Sequence, residues 1–145
     1  MPLVNFGSIL GFAEEIEKQH LKFLSQASGN PDCDQHRALF EALAKSAKKR
    51  VAEVQRVRRE NVSEMVLAAI EGFERDAYQV KVEDGSAPAL AQLAAKAEAL
   101  AERSVCYYQK AAEKLQGQAD VARAMKGLAK KHAKEKKKLA ALLLN

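Results

Sequence analysis

The side chains best placed to do chemistry fall into two pairs. Glu17 and His20 stand three positions apart, and so do His132 and Glu135. On a helix, that spacing brings both members of a pair onto one face. A carboxylate beside an imidazole is able to hold a metal ion, and it is equally able to sit in an ion-pair network. Glu17 falls within an apolar stripe that includes Leu10, Ala13, Ile16 and Phe23. An inward carboxylate there is costly unless it is paired or coordinated. Glu135 stands among lysines and reads as a surface ion-pair partner of that basic run. The chain holds no phosphate-binding glycine loop, no Ser/His/Asp pattern and no zinc-finger spacing, so those function classes are set aside.

The remaining reactive groups are few. Cys33 and Cys106 are far apart and form no CxxC pair, which predicts isolated thiols in a reducing compartment, with the cytoplasm as the expected location. Cys33 follows the Pro31-Asp32 turn and is expected at the surface, while Cys106 is expected to be a small buried hydrophobe beside Tyr107 and Tyr108. Those two tyrosines, with Phe12 and Phe23, read as core packing.

The elements that must position these groups are helices. The chain has 145 residues, 48% of them apolar, with no tryptophan and only seven glycines and three prolines. That is one domain's length, long enough for a core and biased toward helix. No apolar run reaches the roughly 18 residues that cross a bilayer. The segment Met1 to Phe12 lacks a basic n-region and a cleavage site, so no signal peptide is expected. The net charge of +5 is uneven. From Arg123 to Lys138 there are eight basic residues and one acid, +7, which leaves −2 for the rest.

Turn residues divide the chain. Gly29-Asn30-Pro31 supplies a helix stop, a cap and a proline suited to the first helical position. Asp84-Gly85-Ser86 precedes Pro88, and Gly117 interrupts the last helical stretch. Four helices are predicted, at about 6–28, 31–61, 88–116 and 119–143. Their apolar stripes include His20 in the first helix, Val54 in the second, Ala101 and Tyr108 in the third, and His132 in the fourth. Between them, Val62 to Phe73 is partly helical in pattern, and Tyr78 to Val82 alternates like extended chain. A connection of this length, about 62–87, suits a bundle with a long crossover between its second and third helices.

Shifting the chain by 85 positions lays its second half on its first without a gap. Glu17 meets Glu102, Ala27 meets Ala112 and Phe40 meets Met125. Leu43-Ala44-Lys45 meets Leu128-Ala129-Lys130, and Lys49 meets Lys134. Each unit is one helical hairpin. With Phe40 to Ala44, Ala124 to Ala129 and the Tyr107-Tyr108 pair, the chain resembles the rubrerythrin-type branch of the ferritin-like family. The resemblance implies a single all-α domain, 1–145, folded as an antiparallel four-helix bundle. In that family each hairpin supplies a glutamate from its first helix and Glu-x-x-His from its second, around two irons.

The resemblance carries Glu17 onto the first ligand position, Ala47 and Arg50 onto the second helix's Glu and His positions, and His132 and Glu135 onto the fourth helix's pair in inverted order. In the third helix the 85-residue shift selects Glu102, whereas counting back from the tyrosines selects Ala101, the residue on the stripe. Arg50, in a histidine's place, implies a guanidinium ion-paired to Glu17 where the family holds a metal. The four cysteines of a rubredoxin-like module are absent, so no electron delivery within the chain is expected.

These readings predict a bundle that has lost di-iron catalysis and acts as a non-enzymatic structural or interaction protein, with no metal or other cofactor. The alternative is an iron or other divalent-metal oxidoreductase or storage protein with a rearranged site, drawn from Glu17, His20, Glu102, His132 and Glu135. A second alternative is a basic module that binds nucleic acid or an acidic partner through the lysine-rich fourth helix. The apolar run from Leu139 to Leu144 covers more than one helix face and predicts a homodimer.

Overall fold

The computed structural model describes residues 3, 5–61, 72–80 and 90–143. All the regular structure among them is helical: α1 (Phe6–Ser28), α2 (Arg37–Glu60), α3 (Leu90–Lys114) and α4 (Ala119–Leu143), with 3-10 turns at Pro31–His36 and Arg75–Tyr78. None of these helices is long and apolar enough to cross a membrane. The Ser86 cap, Pro88 and most of the 62–87 segment lie outside the described residues.

Helix α1 starts at a capping box. The Asn5 side chain accepts from the Ser8 amide at 2.8 Å, and the Asn5 amide donates to the Ser8 hydroxyl at 3.2 Å. Two of the unpaired amides at the helix start are satisfied in this way. Gly29 caps its end, as the sequence implies.

Helix α2 begins six residues later than expected. Pro31 opens a 3-10 turn rather than an α-helix, and His36, at φ −121° and ψ 18°, separates that turn from the helix without a side-chain cap. Proline fixes its own φ, but it does not choose between the two helix types. Tyr78 is likewise not extended: it closes the second 3-10 turn, and the extended conformation begins at Gln79. Gly72, at φ 71°, adopts a left-handed conformation open to glycine. Phe73 then enters the core, where its carbonyl accepts from the Leu3 amide at 2.8 Å.

Helix α1 packs on α2 and α3 on α4, with further contacts between α1 and α3 and between α2 and α4. The apolar interior forms two clusters. One gathers Phe6 to Ile16, Val54 and Val57, Tyr107 to Leu115, and Val121 to Ala129. The other gathers Phe23 to Ala27, Phe40 to Ala47, Leu93 to Leu100, and Leu139. On every helix the boundary between clusters falls at buried polar residues: Glu17 and His20, Arg50, Arg103 and Ser104, His132 and Glu135. A polar layer thus crosses the core at the middle of all four helices.

The cysteines exchange the places expected of them. Cys33 is buried and Cys106 is exposed, its Sγ 3.5 Å from Glu102 Oε1. The chain turns inward at the 3-10 segment that carries Cys33. Cys106 lies on the outer face of α3, next to the inward Tyr107.

Candidate functional site

Glu17 is the hub of the polar layer and is fully buried. One donor reaches it from each of the other three helices. Arg50 Nε of α2 donates to Oε1 at 2.8 Å, the Tyr108 hydroxyl of α3 donates to Oε2 at 2.6 Å, and His132 Nε2 of α4 lies 2.8 Å from Oε2. Burial alone raises the Glu17 carboxyl, but His132 and Arg50, with His20 beyond them, outweigh it and hold it well below the usual carboxylate range. Burial, with Glu17 beside it, pushes the Tyr108 hydroxyl well above its ordinary value, so it keeps the proton it donates. An ionised carboxylate only accepts, so the hydrogen of His132 is assigned to Nε2.

Glu135 occupies the far side of Arg50. Arg50 Nη2 lies 3.2 Å from Glu135 Oε2, and His132 Nδ1 lies 3.6 Å from the same oxygen. Glu135 is only 4% exposed, so it is an interior group and not the surface partner expected from its lysine neighbours. The lysines of α4 point outward while Glu135 shares the inward face of His132. Neither Glu135 oxygen, nor His132 Nδ1, nor Arg50 Nη2 has a hydrogen bond among the described residues.

His20 makes a separate arm. Its Nε2 lies 2.8 Å from the Ser104 hydroxyl, which donates to the Leu100 carbonyl at 2.9 Å. A hydroxyl has one hydrogen, so Ser104 accepts from His20, and Nε2 carries the hydrogen. Arg103 Nε approaches the same oxygen at 3.4 Å, and its Nη1 donates to the Tyr78 carbonyl at 3.1 Å. Burial drives His20 well below its ordinary value and Arg103 down to about 10. The rings of His20 and His132 lie 4.6 Å apart, and Tyr108 stacks on His132 at 5.6 Å.

Four of the five residues singled out in the sequence therefore meet. Glu102 does not: it is on the surface of α3, ion-paired with Lys136, while Ala101 faces the interior. The 85-residue shift is one position out of register for these two helices. His20 bonds Ser104, which is 84 positions on, and the same step takes Glu17 to Ala101. Sequence reasoning missed Ser104, Arg103 and the hydroxyl of Tyr108. A serine on the stripe between Ala101 and Tyr108 was the available signal.

A two-metal set of the ferritin-like kind does not fit these residues. Ala47 and Ala101 are buried where ligands are needed, and the Arg50 guanidinium fills the space with a fixed positive charge. Beside Arg50 and Glu135 a cleft of about 270 Å³ opens between α2 and α4, with Lys49, Lys131, Lys134 and Lys138 around it. Part of the basic face is neutralised on the surface, as Lys131 pairs with Glu53 at 2.7 Å and Lys136 pairs with Glu102. Compared with protein-family models, curated proteins and solved structures, the chain matches none.

Proposed function

We propose that this chain is an antiparallel four-helix bundle of ferritin-like, rubrerythrin-type architecture. In it an ion-paired network takes the place of a two-metal centre, and the protein acts as a non-enzymatic structural or interaction protein. The observation that carries the reading is the Arg50 guanidinium on Glu17, 2.8 Å apart and almost wholly buried. A guanidinium meets the charge of an inward carboxylate as a metal would, yet offers no open coordination position and no redox change.

Two further observations support the architecture. The start of α1 shares an apolar cluster with the end of α2, the end of α3 and the start of α4, and the opposite ends share the other cluster. That is the pattern of neighbouring helices running in opposite directions. The positions related by the 85-residue shift in α2 and α4, Arg50 and Glu135, meet each other in the interior. The exposed Cys106 thiol fits a reducing, cytoplasmic setting.

Elemental analysis of the purified protein tests the reading. Fewer than two equivalents of iron, manganese or zinc per chain are expected, and two tightly held ions per chain would contradict it.

A further inference from the structure

We propose that the polar layer also carries a binding site for one transition-metal dication, held by a ring nitrogen of His20, by Nδ1 of His132 and by the carboxylate of Glu135. This goes beyond the function proposed above, which concerns the lost two-metal centre and stands whether or not a single ion binds. One ligand atom from each of the three residues lies within 4.8 Å of the other two, and all three side chains are buried. A tetrahedral ion with bonds of about 2.0–2.1 Å holds its ligands about 3.4 Å apart. Closing the cluster takes side-chain shifts on the order of 1 Å, within rotamer adjustment.

The second observation is what these groups lack. Both Glu135 oxygens and His132 Nδ1 are buried without a hydrogen bond from any described group. Buried polar atoms are nearly always satisfied, so the unpartnered Glu135 Oε1 and His132 Nδ1 on the two neighbouring side chains mark a place for a ligand. Arg50 ion-pairs with Oε2 at 3.2 Å, which leaves Oε1 as the open carboxylate oxygen.

The groups behind the ligands are arranged as metal-binding histidines require. His132 gives its Nε2 hydrogen to the Glu17 carboxylate, and His20 gives its own to Ser104, which is anchored on the Leu100 carbonyl. With Nε2 engaged in each ring, Nδ1 is the nitrogen left to meet a metal. The low proton affinity of buried His20 keeps it neutral, as a ligand must be. Two imidazoles and one carboxylate select zinc, cobalt, nickel or copper over magnesium and calcium, which prefer all-oxygen sites. Glu135 also lines the cleft between α2 and α4. Once bound, the ion ties α1 to α4 across the middle of the molecule.

Titration of the full chain with cobalt(II), followed by visible ligand-field absorption and by native mass spectrometry, tests the site. One ion per chain, displaced by zinc, is expected. Glu135→Gln and His20→Gln are each expected to weaken binding about tenfold or more, while Glu102→Gln, on the surface, leaves it unchanged. Circular dichroism checks the fold of each variant. If Glu135→Gln does not fold, His20→Gln carries the test, because the bond that ring makes is to Ser104. Absence of cobalt bands in the parent protein, or equal binding in His20→Gln, would overturn the site and leave the ion-paired reading standing. Two ions per chain would overturn both.

Discussion

At the scale of single residues, the polar layer makes stability depend on pH in two separate windows. The Glu17 carboxyl is depressed in the folded protein. Its contribution is complete above the unfolded carboxylate value of about 4.3 and is lost as pH falls below it. His20 is also depressed, by burial, so the unfolded chain takes up its proton first, from about pH 6.5 downward. Chemical unfolding as a function of pH is expected to show stability falling below about pH 6.5, by up to about 1.4 kcal/mol per pH unit from this group. His20→Gln should remove that limb and keep the one below pH 4.3. An unchanged upper limb in the variant would assign it elsewhere.

Tyr108→Phe removes a hydrogen bond to a charged, buried acceptor and is expected to cost about 1.5–3 kcal/mol in the same assay. A loss under 0.5 kcal/mol would show that Glu17 does not depend on it. Glu17 and His20 were legible in the sequence because polar residues on apolar stripes must find partners, and Arg50 because the resemblance set it at a ligand position. Tyr108 and Ser104 were not, because an aromatic or small residue on a stripe already has a sufficient reason to be there. Glu135 was misread since one-dimensional neighbours on α4 point in different directions.

At the scale of elements, most helix ends were legible in the sequence and the start of α2 was not. Gly29 ends α1 where expected, and α4 spans the expected 119–143. The start of α2 shifted because proline geometry serves a 3-10 turn as well as an α-helix. The internal repeat located the right helices, but it missed the inward residue of α3 by one, enough to move Glu102 to solvent. A register error of one residue turns a helix by about 100°, and here the apolar stripe of α3 detects it, since it selects Ala101, which is the buried residue. The Asn5-Ser8 capping box offers a direct test of helix-start energetics. Asn5→Ala is expected to destabilise the protein by about 1 kcal/mol in thermal or chemical unfolding. No measurable change would show that water satisfies those amides equally well.

At the scale of the whole molecule, the two apolar clusters supply the bulk of the burial, and the polar layer between them fixes how the four helices meet. A buried polar layer contributes specificity of packing more dependably than net stability. The C-terminal run bears on association. Leu139 is buried and Leu142 packs partly against the same cluster, while Ala141 is exposed. Among the described residues of that run, Ala141 is thus left at the surface and Leu142 half-buried, and the homodimer through the end of α4 that the sequence predicts is the expectation to test. Light scattering across a range of concentrations should give a dimer mass, and a constant monomer mass would contradict it. The proposed replacement of metal by Arg50 at Glu17 rests on coupling between the two side chains, which a double-mutant cycle measures. Arg50→Met alone leaves a buried carboxylate short of its cation and is expected to cost about 3–5 kcal/mol. Glu17→Gln together with Arg50→Met should cost much less than the two single losses added. Additive losses would show that the two side chains do not stabilise each other and that Arg50 does not stand in for a metal at Glu17.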